Sequence, residues 1–200
     1  MAKIKICGLK RLEDIEIVNK YKPDYIGFVF AESKRKVSYD LAKQMRQNLD
    51  SSIQSVGVFV DADIDEILES YDLGIIDIAQ LHGNESEEYI EKLKQKSDYQ
   101  LKIINAIEMD SEKDLLEYDN SAADYLLLDS GKGSGKTFDW RLIRKDLKKE
   151  FFLAGGLNSQ NISQAIHEFD PYAVDLSSSV ETDGYKDELK IKKVMEAIND

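Results

Sequence analysis

The chain has 200 residues and a formal net charge of −12 at pH 7, a length that one core can serve, since cores grow to roughly 250–300 residues before chains split. Its 42% hydrophobic and 33% charged residues exclude disorder, and no apolar run approaches the ~20 residues of a membrane helix. The acidity argues against nucleic acid or an acidic membrane as partner, because both need a basic face, but not against a small anion held in a locally positive cavity.

In chain order, β-rich apolar runs alternate with helical patterns. Met1–Cys7 lacks the long apolar stretch and cleavage site of a secretory signal and opens with a strand over Lys3–Cys7. Further strands are expected at Tyr25–Phe30, Ser55–Val60, Ile75–Leu81, Leu101–Ala106, Asp124–Asp129, Phe151–Ala154 and Tyr172–Leu176. Core-facing helical spacing, i, i+3, i+4, i+7, recurs in Ile64, Ile67, Leu68, Tyr71, then in Ile162, Ala165, Ile166, Phe169, and finally in Ile191, Val194, Met195, Ile198. Helix-start signals fall at Ser38, Asp139 and Asn158. Eight strand–helix units in 200 residues leave about 25 each, which predicts a single α/β domain, residues 1–200, closed as a (βα)₈ TIM barrel. The rival is an open doubly wound sheet, which six strands would suit better than eight. The single cysteine excludes an internal disulfide and suits a reducing, cytoplasmic setting.

Such barrels place chemistry at the C-terminal ends of their strands, and alternation selects the side chains that share the interior. Lys3, Lys5 and Cys7 share one face of the first strand, while Ile4 and Ile6 suit the layer under the helices. Asp129 ends the sixth strand with Tyr125 and Leu127 on its face, and Asp175 lies with Ala173 in the eighth. Three titratable groups are thereby expected at one mouth. Cys7 reads as a small buried hydrophobe or as a proton acceptor whose pKa a cation such as Lys5 lowers. Asp129 reads as the cap of the next turn or as a general acid.

The loops after strands seven and eight commonly seat phosphate in this fold. Here they hold Gly155 and Gly156, which admit close backbone N–H approach, and Ser177, Ser178 and Ser179. The alternative is a pair of ordinary turns. Arg35, in the basic cluster Ser33–Lys36, can pair bidentately with a carboxylate or stand as solvated surface. His82 reaches the mouth by alternation, as a site residue or a structural one, and His167 is expected exposed on a helix. Two distant histidines and one cysteine form no metal-ligand cluster. The glycine-rich loop Ser130–Thr137 fails the nucleotide-binding pattern, because Ser130 stands where a glycine is required; a flap over the mouth fits it better.

Over its whole length the chain resembles the phosphoribosylanthranilate isomerase family. The resemblance rests on Lys5-Ile-Cys-Gly-Leu9, Gly27-Phe-Val-Phe30 with Ser33-Lys-Arg35, Val56-Gly-Val-Phe-Val60, Gln80-Leu-His-Gly83, Leu128-Asp129, Gly133-Ser-Gly-Lys-Thr-Phe-Asp-Trp140, Leu153-Ala-Gly-Gly-Leu157 and Val174-Asp-Leu-Ser-Ser178 with Val180-Glu181, in that order. It implies an aldose–ketose isomerase of tryptophan biosynthesis that performs an Amadori rearrangement of N-(5-phosphoribosyl)anthranilate. Cys7 is implied as general base, Asp129 as general acid and Arg35 as partner of the anthranilate carboxylate. Gly155, Gly156 and Ser177–Ser179 are implied at the phosphate and Asp175 at the substrate. An iminium serves as electron sink, so no cofactor is implied, and a small phosphorylated substrate is the one partner. Lys10 and Ser179 depart from the family's usual threonine and glycine, and Glu32 and Lys36 from its pattern around the arginine. Another phosphosugar barrel enzyme, or a binding protein without turnover, remains the competing reading. With no evident exposed apolar patch, a monomer is expected.

Overall fold

The structure is a computed structural model that describes residues 2–109, 115, 118–129, 143 and 147–199. Eight parallel strands close on themselves in sequence order. They are β1 (Lys3–Cys7), β2 (Tyr25–Val29), β3 (Gln54–Phe59), β4 (Ile78–Leu81), β5 (Lys102–Glu108), β6 (Tyr125–Asp129), β7 (Phe151–Leu153) and β8 (Ala173–Leu176). The closing pairing aligns Lys5 with Asp175 and Ile6 with Leu176. An open doubly wound sheet has no such pairing, so the barrel expectation holds.

Period-two alternation divides the core in two. Ile4, Ile6, Ile26, Phe28, Leu126, Leu128, Val174 and Leu176 pack outward beneath the helices. Tyr25, Val56, Ile78, Ile104, Leu127, Phe152 and Ala173 fill the interior, the layered filling expected of a small barrel. The N-terminal pole is plugged: Lys3 Nζ donates to Tyr172 Oη at 2.8 Å and to Tyr25 Oη at 3.3 Å, and Tyr125 stacks on Tyr172 at 5.0 Å. Among the described residues, what remains open is the C-terminal end.

The described helices are α1 (Leu12–Tyr21), α2 (Tyr39–Gln47), α3 (Ile64–Asp72), α4 (Glu87–Lys96), α5 (Ile162–Phe169) and α6 (Glu188–Asn199). The three predicted apolar stripes, on α3, α5 and α6, all face the core. Ser38 caps α2, its Oγ accepting from the Leu41 N–H at 3.3 Å. His167 is exposed on α5. The Asp139 start signal and the Ser130–Thr137 loop lie outside the described residues.

Two local expectations are corrected. Residue Asn161, not Asn158, occupies the N-cap of α5. Asn158 instead closes the preceding turn, its Oδ1 accepting from the Gln160 N–H and its carbonyl from the Ile162 N–H. The fourth strand begins at Ile78 rather than Ile75, because the N–H groups of Ile75 and Ile76 are both taken by the Ser70 carbonyl at the end of α3. Their side chains are buried all the same, so hydrophobicity alone could not separate the approach from the strand.

Candidate active site

A cavity of about 970 Å³ opens at the C-terminal mouth. Cys7, Arg35, His82, Asp129, Gly155, Gly156, Asp175, Ser177 and Ser178 all line it. Every residue that the sequence nominated for the site is brought to one wall or another of this space. Gln80 and Ser179 line it as well, and Gln80 was not nominated.

A chain of polar contacts crosses the floor. Lys5, fully buried, donates from Nζ to Asp175 Oδ2 at 2.9 Å and to Gln80 Oε1. Gln80 Nε2 lies 3.1 Å from His82 Nδ1, and His82 Nε2 lies 3.8 Å from Asp129 Oδ2. A buried ammonium is tolerated because it is paired and hydrogen-bonded. Burial opposes the charge on Lys5, yet the facing Asp175 carboxylate and the Cys7 thiol together hold its pKa above the ordinary lysine value. Asp175 Oδ1 is buried with no hydrogen-bond partner among the described residues, which leaves an acceptor beside the cavity for a ligand hydroxyl.

Cys7 ends β1 opposite Gly27 of β2. A Cβ at Gly27 would stand 2.5 Å from the cysteine Sγ, so glycine makes the space the sulfur occupies. The thiol is nearly buried, and burial pushes its pKa up. Lys5 gives the strongest opposing pull, Asp175 adds to the rise, and Lys186 and Arg35 oppose it. The net result is a raised pKa, which corrects the expectation that Lys5 lowers it below the reference. The cation is present as predicted, but desolvation outweighs it.

Arg35 reaches the mouth from the loop after β2, and it already has a carboxylate. Its Nε and Nη2 donate to Glu181 Oε1 and Oε2 at 2.7 and 2.8 Å. This fork uses one edge of the guanidinium; Nη1 has no hydrogen-bond partner among the described residues and remains for a second anion. Glu181 also accepts from the buried Lys186 Nζ at 2.7 Å. Burial drives the Lys186 pKa below the ordinary lysine value, with Glu181 acting against that fall. Glu181 and Lys186 come from a small hairpin, β9 (Glu181–Thr182) and β10 (Tyr185–Lys186). Its two-residue turn, Asp183 and Gly184, has φ of 52° and 78°, the left-handed pair that an Asp-Gly hairpin turn adopts. That dipeptide was the signal in the sequence by which the hairpin could have been found.

The two phosphate-loop candidates face the same space. Gly155 and Gly156 both have positive φ, 80° and 71°, conformations in which a side chain would be strained. Asn158 Nδ2 and Asn161 Nδ2 both donate to the Gly156 carbonyl, which holds the loop in that shape. After β8 the Ser178–Val180 segment makes one 3-10 turn, and the Ser177 carbonyl accepts from Lys186 Nζ at 3.2 Å. Among the described residues, no group of three or more His, Cys, Asp and Glu is placed to hold a metal ion.

Residues 4–197 match the family described as N-(5'-phosphoribosyl)anthranilate (PRA) isomerase. The chain belongs to this family. It is similar to the N-(5'-phosphoribosyl)anthranilate isomerase of Clostridium acetobutylicum, with 47% identity over 201 residues covering 96% of each chain. Among solved structures, phosphoribosyl anthranilate isomerase from Thermotoga maritima superposes with a TM-score of 0.90 at 34% identity, covering 100% of this chain and 99% of that one. A further phosphoribosyl anthranilate isomerase, solved in complex with reduced 1-(o-carboxyphenylamino)-1-deoxyribulose 5-phosphate, superposes with a TM-score of 0.87 at 33% identity, covering 100% and 99%. In this member of the family, the Cys7 thiol at the end of β1 and the Asp129 carboxyl at the end of β6 border one cavity.

Proposed function

We propose that Cys7 and Asp129 are the base and acid of the isomerisation. The activity itself follows from family membership: the chain is an enzyme, an aldose–ketose isomerase of tryptophan biosynthesis that converts N-(5'-phosphoribosyl)anthranilate to 1-(2-carboxyphenylamino)-1-deoxyribulose 5-phosphate. The observation that carries the residue assignment is that both groups border the same cavity at the ends of β1 and β6. Asp129 donates a proton to the furanose oxygen, the ring opens, and the anilino nitrogen becomes an iminium. Cys7, as thiolate, removes the proton at C2; the electron pair flows into the iminium to give an enolamine, which ketonises. The electron sink forms within the substrate, so the route requires no metal or redox group.

The remaining residues bind. The Arg35 edge not used by Glu181 takes the anthranilate carboxylate, and His82 contacts substrate beside Asp129. Asp175 accepts a ribose hydroxyl, and the N–H groups at Gly155 and Gly156 with the Ser177 and Ser178 hydroxyls hold the phosphate. Supporting this division, the cationic residue and the two loops stand on the same cavity as the acid and base. The whole chain acts as one catalytic domain, in the cytoplasm and as a monomer. For the monomer, the exposed large apolar side chains among the described residues, Leu12, Val60, Leu73, Tyr99, Tyr185 and Leu189, are spread over α1, α6, the hairpin and three separate turns; sedimentation at micromolar concentration showing a dimer would overturn it. For the cytoplasm, the support is the single cysteine, which is free and suits a reducing compartment.

The test is the decay of anthranilate fluorescence on purified protein, with and without alkylation of its single cysteine. Conversion that alkylation abolishes is expected. Undiminished conversion by the alkylated enzyme would remove Cys7 from the mechanism.

A further inference from the structure

Gln80 stands on β4 in the floor of the cavity, 2% exposed, and its two amide atoms face partners with opposite demands. An ammonium has only donors, so the atom toward Lys5 must be the carbonyl Oε1. That fixes the other end. Nε2, a donor, is turned to His82 Nδ1 at 3.1 Å, where a second N–H would be repelled. Nδ1 must therefore present its lone pair, and the ring proton must sit on Nε2. That nitrogen is the one 3.8 Å from Asp129 Oδ2.

We propose that Gln80 is a positioning residue: anchored by Lys5, it holds His82 as the neutral Nε2–H tautomer with its donor aimed at Asp129. The catalytic consequence rests on the reading of Asp129 as the acid. An acid must keep its proton until substrate arrives. An imidazolium beside it would favour the carboxylate and discharge it early. A neutral N–H donor exerts far less of that pull, yet it can stabilise the carboxylate once the proton has moved to the ring oxygen. No proton is exchanged with His82 in this role. Lys5 supplies the direction, since without it the amide could rotate and offer its carbonyl to the ring.

The chain has two histidines, and His167 is exposed on α5, so His167→Gln leaves His82 as the one imidazole for ¹⁵N NMR. In that background the shifts should show a protonated Nε2 and an unprotonated, hydrogen-bonded Nδ1. Gln80→Glu places a carboxylate between the same two neighbours and should draw a proton onto Nδ1, with kcat falling about tenfold, less than the ~10²–10⁴-fold worth of the positioned acid itself, while KM changes little. Gln80→Met should shift Nδ1 to the value of a free acceptor, which keeps the question decidable if the glutamate variant does not fold. A protonated Nδ1 in the parent, or an Nδ1 signal that neither substitution moves, overturns the proposal; so does a tautomer that moves without any change in kcat. The ring shifts are read on the protein alone. Failure of the parent enzyme to convert substrate would strike the functional reading and leave the tautomer result standing.

Discussion

Replacing Lys5 by methionine removes an ammonium that is fully buried and touches three groups of the site at once. Asp175, whose side chain is 9% exposed, then keeps a charge without its counter-ion. Gln80 loses the donor that orients it, and Cys7 loses the strongest influence opposing the rise of its pKa. Breaking a buried pair by removing one partner costs about 3–5 kcal/mol. For a domain of this size each kcal/mol lowers Tm by about 2–4 °C, so a fall of about 6–20 °C is expected. The sign is set by the stranded carboxylate, not by lost packing, since methionine fills a similar volume. Adding Asp175→Asn to Lys5→Met should therefore restore stability to within about 1–2 kcal/mol of the parent, although activity stays low. Urea unfolding followed by far-ultraviolet circular dichroism measures both. A loss under about 1 kcal/mol in the single variant, or no recovery in the double, would refute the claim that charge pairing holds this floor together.

Three further outcomes follow from the same geometry. Burial raises the Cys7 pKa, and the base must be the thiolate, so activity is lost as pH falls; kcat/KM should climb through the alkaline range, at and above the ordinary thiol value of about 8.5. Ultraviolet titration of the thiolate should track that limb, and a limb finished in acid would contradict it. Gly27→Ala pushes a methyl group against the Cys7 sulfur. The fold should survive while kcat drops by about 10²-fold, the cost of roughly 1 Å of misplacement; unchanged turnover would show that the sulfur need not sit where it does. Glu181→Gln frees the Arg35 fork, and KM should rise about tenfold, equivalent to about 1.4 kcal/mol, with kcat affected less. Steady-state kinetics separates the two, and a fall confined to kcat would place Glu181 in the chemistry instead.

Alternation made much of this site legible beforehand. In β1 the polar and apolar residues alternate without exception, so Lys5 and Cys7 had to turn inward if Ile4 and Ile6 turned toward the helices, and they do. The same rule placed Asp129 and Asp175 in the mouth. What it could not supply was pairing across the barrel. Arg35 and Glu181 are separated by 146 residues, and only the closure of the strands decides that they meet. The balance at Cys7 was hidden for a related reason: a nearby lysine can be inferred from spacing, but how far the thiol is desolvated depends on every residue packed over it. Gln80 was overlooked because a glutamine carries no titratable signal; its importance comes from standing between a donor-only lysine and a histidine. At α5 the misplaced start reflects two asparagines three residues apart, either of which has the chemistry of a cap, and backbone geometry chose the second.

The central assignment is best tested by measuring kcat for Cys7→Ala and Asp129→Asn beside the parent enzyme, with circular dichroism to verify the fold. Each should lower turnover of phosphoribosylanthranilate by roughly 10²–10⁴-fold, the usual contribution of a well-placed acid or base. Turnover close to the parent value in either variant would contradict the account.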